Sequence, residues 1–456
     1  MLRSLLDRLP TIPEHLLFGT LAVLAYVITT RARGEQRAPS SAIAWVMGLA
    51  LLPYLVLPMY LVFGSRKLRP ARLPRARPAV PLGHWAAELI ESFGLAPPSA
   101  CSVRMHHDGS EALAALWDTI AQARSRIDVC TFLIGDDDVG RETVARLAAR
   151  ARDGVRVRLL LDGYGALLAP RDAFDALRGA GAEVSVFRPF LSLHRSGPRN
   201  LRNHRKLLIA DHAWLWCGGR NLAAEYFEGR PGEAPWADLS FDLHGGVAAA
   251  AAHQFEQDWA SAGGHAPRPV ASPAEVPHGA LAQFLPSGPD QTEDTAQALL
   301  IDACFRAQNR ILVVTPYFVP DNFLRDAMRL AARRGVEITV ALPTRSNHRL
   351  ADFVRMRAMR ELSRVGVRFR MLPAMAHAKA VVVDDSLAMC GSINLDLRSL
   401  LLNHEAAVVF YSLAEIEWLA DWIGALAATG HDFDPRPPSL LRDISEGLLL
   451  TVAFQL

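Results

Sequence analysis

A histidine and a lysine two residues apart, followed by an aspartate, occur twice in this 456-residue chain. The two segments read HRKLLIAD and HAKAVVVD, and their matching polar residues are His204, Lys206, Asp211, His377, Lys379 and Asp384. Positions i and i+2 of a strand face the same side, so each histidine and lysine should point together at one target. Each aspartate has the opposite parity to its histidine. We therefore expect it to hold the following turn or the lysine, and not to react.

The match between the two segments continues past the aspartate. After six intervening residues, GGRN occupies positions 218–221 in one copy and GSIN occupies positions 391–394 in the other. One copy alone would favour a buried histidine bonded to backbone, but chance recurrence of the whole pattern is negligible. The added candidates for phosphate binding or support are Gly218, Gly219, Asn221, Gly391, Ser392 and Asn394.

The chemistry of these residue types points to a phosphodiester. Lysines and amide groups suit the non-bridging oxygens of a phosphate, and glycines let the backbone approach an anion closely. Buried donors of this kind stabilise the extra charge of a pentacoordinate transition state. One histidine can attack phosphorus while the other protonates the leaving alkoxide and then accepts a proton from the incoming alcohol. These residues alone leave open whether His204 or His377 attacks.

Two acidic residues downstream of the motifs, Asp238 in PWADLSF and Glu405 in LNHEAAVV, lie in apolar surroundings. An unpaired carboxylate there would be costly, so each is a candidate acceptor that orients a motif histidine; the alternative is an acid at a surface edge. No acidic cluster of metal-ligand type accompanies the motifs, and we predict neither a metal nor another cofactor. The nearest candidate, GDDDVG at 135–140, could bind Mg²⁺, but a solvated turn is the favoured interpretation.

The elements that must position these residues are also duplicated. Strand, helix and strand patterns follow one another at residues 126–134, 142–154 and 155–162, and again at residues 310–316, 324–335 and 336–343. This alternation predicts an α/β fold of two similar α/β sandwich halves related by pseudo-two-fold symmetry. We place the first half at residues 101–262, a linker at 263–280, and the second half with a C-terminal tail at 281–456.

Two uncharged apolar runs, at residues 16–30 and 42–63, precede the halves. A bilayer span takes about 20 apolar residues. We therefore predict a two-span transmembrane hairpin within residues 1–65, although a single signal anchor or a buried soluble hairpin would also fit. Six basic residues lie within 66–77 after the second run, and three lie in the connecting loop. This difference favours both termini, and the catalytic halves, on the cytoplasmic side.

Two other segments each allow two interpretations. Residues 66–100 form a basic, proline-rich juxtamembrane linker that either lies on anionic headgroups or serves as a solvated spacer. The tail at 440–456 has apolar residues at helical spacing and too short an uncharged run to span a bilayer. We expect it to dock on the catalytic halves, with contact to the bilayer as the alternative.

The overall composition limits the function classes. Half of the residues are hydrophobic, and the mean hydropathy of +0.12 is high for a purely soluble protein. A formal net charge of only +2 argues against a protein that coats nucleic acid, and we predict no nucleic-acid partner. Five widely separated cysteines indicate neither a disulfide framework nor a zinc site.

The doubled motif resembles the signature of the phospholipase D superfamily and, more narrowly, the bacterial cardiolipin synthases. The supporting segments extend over nearly the whole chain: GYG at 163–165, NHRK at 203–206, GGRN at 218–221, QFEQDW at 254–259, TPYFVPD at 315–321, GSINLDLRS at 391–399 and NHE at 403–405. The membrane segment, with its FG at 63–64, is also similar to that family.

The resemblance implies a reaction and a location. A phosphatidyl group would pass from one phosphatidylglycerol, through a phosphohistidine, to a second phosphatidylglycerol, with release of glycerol and without a cofactor. Asp238 and Glu405 would pair crosswise with the histidine of the opposite half. His204 would be the nucleophile and His377 the general acid and base. The protein would be a multi-pass protein of the bacterial inner membrane; its oligomeric state is not implied.

Some segments depart from the family pattern, and other functions remain possible. SNH at 346–348 lacks an expected acid, His404 stands where an aromatic residue is usual, and residues 190–201 are an insertion before the first motif. The alternatives are a phospholipase D-type hydrolase, a synthase with another acceptor lipid such as phosphatidylethanolamine, and a non-catalytic lipid-binding scaffold. Intact copies of both histidines and both lysines argue against the scaffold.

Overall fold

The computed structural model describes residues 11–33, 39–64, 67, 83–189, 200–263, 265–270 and 279–450. The part of the chain before the second half contains β1 Ser99–Met105, β2 Arg126–Thr131, β3 Arg156–Asp162, β4 Glu183–Phe187, β5 Leu207–Ala210, β6 Trp214–Gly218 and β7 Ser240–Gly245. Its helices are α1 Ile12–Arg33, α2 Pro39–Leu51, α3 Pro53–Phe63, α4 Trp85–Ser92, α5 Gly109–Gln122, α6 Asp138–Arg152, α7 Gly165–Leu168, α8 Arg171–Gly179 and α9 Gly246–Ser261.

The second half repeats much of this order. Its strands are β8 Ala280–Ser287, β9 Arg310–Val314, β10 Phe318–Val319, β11 Glu337–Pro343, β12 Arg368–Leu372, β13 Ala380–Val383, β14 Leu387–Gly391, β15 Leu395–Asp396, β16 Glu405–Phe410 and β17 His431–Asp432. Its helices are α10 Thr295–Arg306, α11 Asn322–Arg333, α12 Arg349–Ser363, α13 Leu397–Leu401, α14 Leu413–Ala428 and α15 Leu440–Leu450.

The strands of both halves form one continuous sheet. Within the described residues its order is β17-β12-β11-β9-β13-β14-β16-β8-β1-β7-β6-β5-β2-β3-β4. Each half has three parallel strands, β2-β3-β4 or β9-β11-β12, followed by antiparallel strands, and the two halves meet where β1 pairs with β8. The predicted α/β fold of two similar halves is therefore confirmed. Each HxK motif lies immediately before a corresponding strand, β5 or β13.

Alternating side chains divide the hydrophobic core between the two faces of the sheet. In β5, Leu207 and Ile209 enter a core shared by both halves, whereas Leu208 enters the core of the first half alone. In β13, Val382 and Val381 divide in the same way between the shared core and the second-half core. Helices α9 and α14 cover the shared core. One common layer therefore holds the two halves together, and with them the two motifs.

The two halves have matching helix caps, at Asp137 in the first half and at Asp321 in the second. Asp137 accepts a hydrogen bond from Gly140 N at 2.9 Å and caps α6, and Asp321 accepts one from Leu324 N at 2.9 Å and caps α11. Asp137 also accepts a hydrogen bond from Ala224 N at 2.9 Å. The GDDDVG segment is thus a capped turn at the start of a helix, which supports the turn interpretation over a magnesium site.

The first apolar run forms a helix of spanning length, but the second does not. Within the described residues, Ile12–Arg31 is long and apolar enough to cross a bilayer, whereas Ser41–Leu51 and Pro53–Val62 are shorter apolar helices. Proline lacks an N–H and is favoured at the first position of a helix; α2 ends at Leu51, and Pro53 is the first residue of α3. The predicted two-span hairpin is therefore shown only in part, because one helix of spanning length precedes two shorter apolar helices.

The two short helices fold back on each other. The ring centroids of Trp45 in α2 and Tyr60 in α3 lie 5.3 Å apart, although fifteen positions separate them in sequence. Tyr60 also contacts Tyr26 of α1, and Tyr54 stacks on Phe18 at 4.8 Å. α3 thus runs parallel to α1. The second apolar run therefore begins and ends near the C-terminal end of α1. Of the predicted linker at 66–100, residues 66 and 68–82, which include the arginines at 66–77, lie outside the described residues.

The C-terminal helix α15 docks on the second half, as predicted. Glu446 is fully buried and pairs with Arg360 of α12 and with Arg442 at 2.9 Å. Leu449 and Leu450 pack against Val319 and Val354. The last residues of the tail, 451–456, and most of the insertion at 190–201 lie outside the described residues.

Candidate active site

The first motif histidine is held by an acid from the other half. His204 Nδ1 lies 3.0 Å from each carboxylate oxygen of Glu405, 201 positions away in sequence. Glu405 is fully buried and also accepts hydrogen bonds from the Ser392 hydroxyl and, at 3.3 Å, from the Asn403 amide. This network leaves the Nε2 atom of His204 directed away from the acid and able to react.

The second motif histidine has the reciprocal arrangement. His377 Nδ1 lies 2.7 Å from Asp238, and Leu239 N donates to the other oxygen of that carboxylate at 2.8 Å. A Cβ atom at position 219 would overlap Asp238 Oδ1, so this close packing requires Gly219. Tyr226 packs edge-on against the imidazole of His377 at 4.9 Å. Both histidine–acid pairs thus cross the seam between the halves, as the resemblance implied.

The two lysines share the same buried space as the histidines. Lys206 Nζ donates to the carbonyl oxygen of His204 at 2.7 Å, and Lys379 Nζ donates to the carbonyl oxygen of His377. Burial lowers the pKa of Lys206 to about 7 and that of Lys379 to about 8. The lysine of each motif also affects the histidine of the other motif, because the Lys379 charge contributes to the lowered pKa of His204. The two motifs therefore form one site.

Burial and neighbouring charges set the protonation states of the histidines and their acids. Burial lowers the pKa of His204 to about 4 and that of His377 to about 3, with Lys379 adding to the second effect. Burial opposes ionisation of Asp238, but His377 and Lys379 hold the pKa of its carboxyl at about 2. The same balance, with His204 as the partner, lowers the pKa of Glu405. At neutral pH these shifts favour neutral imidazoles beside ionised carboxylates.

The remaining predicted phosphate-binding residues line the strand ends beside the histidines. Gly218 and Gly391 close β6 and β14, and Gly218 adopts a φ of 149°, which favours glycine. Asn221 donates to the Tyr226 hydroxyl at 2.8 Å and Asn394 to the Ser399 hydroxyl at 3.1 Å. The side-chain oxygens of both asparagines are buried without a partner in the described part of the chain. Each amide group is thus held by a neighbouring hydroxyl.

The motif aspartates lie at the far ends of β5 and β13 and hold turns together. Asp384 accepts hydrogen bonds from the backbone N–H groups of Gln308, Asn309 and Arg310, each at 2.8 Å. Asp211 accepts the equivalent bonds from the backbone of residues 124–126. Neither aspartate bonds to its motif lysine. Each aspartate thus holds the turn that leads into β2 or β9, which is neither the turn that follows it in sequence nor the motif lysine, the two alternatives left by the sequence.

Removing this support is expected to affect stability before activity. Asp384→Ala leaves three N–H groups without their charged acceptor and should lower the free energy of unfolding by about 2 kcal/mol. Thermal or urea unfolding of the detergent-purified chain measures this effect. Asp385→Ala is the matched control, because Asp385 is largely exposed and makes a surface ion pair with Arg310. Loss of turnover in fully folded Asp384→Ala protein would instead indicate a direct catalytic role.

A buried ion cluster behind the first motif was not predicted. Arg205, between His204 and Lys206, pairs with Asp258 at 2.5 Å and with Asp290 at 2.9 Å. His404 Nδ1 lies 3.3 Å from Asp290 in the same cluster. The sequence feature that could have indicated this cluster is the QFEQDW segment, which contains Asp258. Asp258, Asp290 and His404 are close enough to hold a metal, but the guanidinium of Arg205 already lies among them and balances their charge.

A second group of potential metal ligands also surrounds a buried arginine. Asp128, His212 and Glu256 lie within ligand distance of one another, and Arg158 bonds to both carboxylates at 2.6 Å. A buried arginine paired in this way supports the first half internally. We assign neither acidic group to the reaction.

Two histidines, each paired with an acid of the opposite half and flanked by a lysine, define a phospholipase D-like site that acts on phosphodiesters. The family model described as a phospholipase D-like domain of cardiolipin synthase matches residues 116–259 and 300–426. A further model, described as a phospholipase D-nuclease N-terminal segment, matches residues 20–65. The chain therefore belongs to the cardiolipin synthase family of phospholipase D-like proteins.

Individual relatives agree with this assignment. Cardiolipin synthase A of Pseudomonas putida (strain W619) is 33% identical over 421 residues, which cover 87% of this chain and 86% of that protein. Cardiolipin synthase A of Pseudomonas aeruginosa (strain LESB58) is 31% identical over 91% of both chains. The crystal structure of a phosphatidylserine synthase from Haemophilus influenzae Rd KW20 has a TM-score of 0.61 at 13% identity, covering 81% of this chain and all of that chain. The last likeness concerns the fold alone.

Proposed function

We propose that this protein is a cardiolipin synthase that transfers a phosphatidyl group from one phosphatidylglycerol to another and releases glycerol. The single observation that supports it most is the pair of histidine–acid contacts, His204 with Glu405 and His377 with Asp238, which cross one seam beside two lysines. The relatives named cardiolipin synthase A, which match over most of the chain, support the choice of lipid substrates.

In the proposed reaction, Nε2 of His204 attacks phosphorus and the bond from phosphorus to the glycerol oxygen breaks. His377 donates a proton to that oxygen, and glycerol leaves. His377 then accepts the proton of a hydroxyl group on the second phosphatidylglycerol, whose oxygen attacks phosphorus as the bond to His204 breaks. The side chain of His204 is 13% exposed and that of His377 is 4% exposed, which favours His204 as the nucleophile. A bound phosphodiester adds a negative charge, which favours the protonated form of His377.

The product distribution tests the proposal. Vesicles containing the purified chain and phosphatidylglycerol should accumulate cardiolipin and free glycerol in equal amounts, as measured by lipid mass spectrometry and a glycerol assay. Labelled phosphatidylethanolamine in the same vesicles reports whether another lipid serves as the acceptor. Phosphatidic acid as the main product would identify a hydrolase. Absence of any lipid turnover would favour the non-catalytic scaffold.

The pH dependence of kcat/KM follows from the lysines. Burial lowers the pKa of Lys206 from 10.5 to about 7, so rising pH removes the positive charge that attracts the phosphate. We therefore expect kcat/KM to fall as pH rises above about 7, whereas ordinary lysines would stay charged. Arginine keeps its proton throughout this range, so Lys206→Arg should move the fall to higher pH even if the maximum rate is lower. A kcat/KM that stays flat up to about pH 9 would contradict this account.

We also propose a location in the bacterial inner membrane with the catalytic halves on the cytoplasmic side. The paired short helices α2 and α3 support one full span, α1, together with a re-entrant hairpin. The nine basic residues at 31–37 and 66–77 would then share one side of the membrane, opposite Arg3 and Arg8. The positive-inside rule places the nine in the cytoplasm and the N-terminus on the opposite side.

Labelling of introduced cysteines tests this topology, because all five native cysteines are buried. A membrane-impermeant maleimide should label Ser4→Cys in intact spheroplasts. It should label Glu337→Cys, on the exposed surface of the second half, only after the membrane is opened. Labelling of both positions only after opening would restore the two-span hairpin with both termini in the cytoplasm.

A further inference from the structure

Helix α15 has its polar and apolar residues inverted relative to an ordinary surface helix. Glu446, an acid, is its buried residue, whereas Leu440, Leu441, Ile444 and Leu448 are between 52% and 79% exposed. A helix on the surface of a soluble domain directs its leucines inward and its acids to water. An exposed apolar face of this kind marks a surface that meets a partner.

The exposed residues form one continuous stripe. At roughly 100° per residue, Leu440, Leu441, Ile444 and Leu448 fall within an arc of about 100°, and Glu446 lies nearly opposite its centre. The Glu446 side binds Arg360 of α12, while Leu449 and Leu450 pack on Val319 and Val354. These contacts fix the rotation of the helix, so the stripe is held outward by the fold.

The helix lies on the part of the second half that leads to the active site. Val319, under the end of α15, belongs to β10, which pairs with β15 directly after Asn394. In the first half, a short apolar segment lies near the first motif histidine. Tyr164 stacks on Phe132, which contacts His204 at 5.1 Å, and Leu167 and Leu168 beside it are largely exposed. Exposed apolar side chains therefore flank the site in both halves.

The membrane segment is attached to the same region. Lys67, three positions after Gly64, the C-cap residue of α3, bonds to Asp294 at 2.8 Å and to the carbonyl oxygens of Gly288 and Glu293. The same loop, between β8 and α10, carries Asp290, which binds Arg205 next to His204. The chain thus leaves the apolar helices beside the catalytic site, and a bilayer around those helices adjoins this part of the molecule.

We propose that α15 is an interfacial helix whose leucine stripe rests in the surface of the lipid bilayer, with Tyr164, Leu167 and Leu168 as a second contact. The two contacts hold the mouth of the site at the level from which lipid headgroups enter. Helices of this type bind by inserting their apolar face at the boundary between headgroups and acyl chains. The partner of the leucine stripe is a lipid surface, whichever lipid accepts the phosphatidyl group.

A fluorescent probe on the stripe tests this directly in the full chain. Ile444→Cys carries an environment-sensitive dye, and the chain is reconstituted in vesicles of phosphatidylglycerol and phosphatidylethanolamine that contain lipids spin-labelled on the acyl chain. The dye at position 444 should shift to the blue and lose most of its fluorescence to the spin label. Glu337→Cys, at the opposite end of β11 from the site, is the control and should show neither change.

A second measurement separates binding from folding. Replacing Leu440, Leu441 and Leu448 with glutamine should raise the apparent KM for vesicle lipid about tenfold and leave turnover in mixed detergent micelles unchanged, because less apolar area enters the bilayer. A dye at position 444 that the spin-labelled lipids do not quench overturns the proposal. Quenching only by a second spin-labelled copy of the chain overturns it in favour of self-association.

Discussion

Replacing His204 or His377 with alanine is expected to lower the rate of cardiolipin formation at least ~10³-fold, because one removes the nucleophile and the other the proton donor. The imidazole of His377 is buried and that of His204 is largely so, each against an ionised carboxylate, so water is a poor substitute for either. Mass spectrometry of lipids from vesicles that contain each variant measures the effect. His253→Ala is the matched control, because His253 is exposed on α9. Full turnover in either motif variant would exclude the proposed mechanism.

A modified donor lipid separates the roles of the two histidines. A phosphatidyl ester with a phenolate leaving group needs no general acid for the first step. If His204 is the nucleophile, His377→Ala protein should still release the phenol once and accumulate a covalent phosphatidyl-enzyme, whereas His204→Ala protein should release none. The opposite result would exchange the two roles and leave the rest of the mechanism intact.

Replacing either orienting acid by its amide is expected to cost about 10²–10⁴ in kcat, because the amide removes the charge that stabilises a protonated histidine and fixes its tautomer. The substitutions are Glu405→Gln and Asp238→Asn, each of which changes the histidine of the opposite half. Both are close in size to the original side chain, so the hydrogen-bonded neighbours Ser392 and Leu239 keep a partner.

The pH profile distinguishes this effect from a simple loss of structure. Without the Glu405 charge, the protonated form of His204 loses its main stabilising partner, and a variant that is only misfolded would lose activity equally at every pH. We expect each amide variant to keep the unfolding temperature within a few degrees and to change the acidic side of the kcat profile. Glu417→Gln, at an exposed position of α14, is the control. Unchanged kcat in both amide variants would contradict the proposed roles of the acids.

Several features of this protein follow from local sequence pattern. The doubled motif identifies the reactive residue types because two unrelated positions do not repeat a polar pattern by chance. The alternation of strand and helix predicts the two halves, since periods of two and of 3.6 residues reflect backbone geometry. The capped turn at Asp137 also follows from residues that are near each other in the chain.

Other features depend on packing contacts between segments that are distant in sequence. The apolar run at 42–63 is long enough to span, yet its helix ends before Pro53 and the following helix packs back against α1. The composition of such a run shows that it is apolar but does not show where its helix ends and the chain reverses. The exposed stripe of α15 was likewise invisible in sequence, because helical spacing shows that leucines share a face without showing which face is buried.

By itself the sequence determined the residue types of the site, its repetition and the α/β class of the halves, because these depend on side-chain chemistry and short-range periodicity. Only the tertiary structure decided which acid serves which histidine. Glu405 lies 201 positions from His204, and Asp238 lies 139 positions from His377. Such pairs form when the shared core brings the two halves together, and a buried carboxylate then pairs with the cation or hydrogen-bond donor that lies nearest in space.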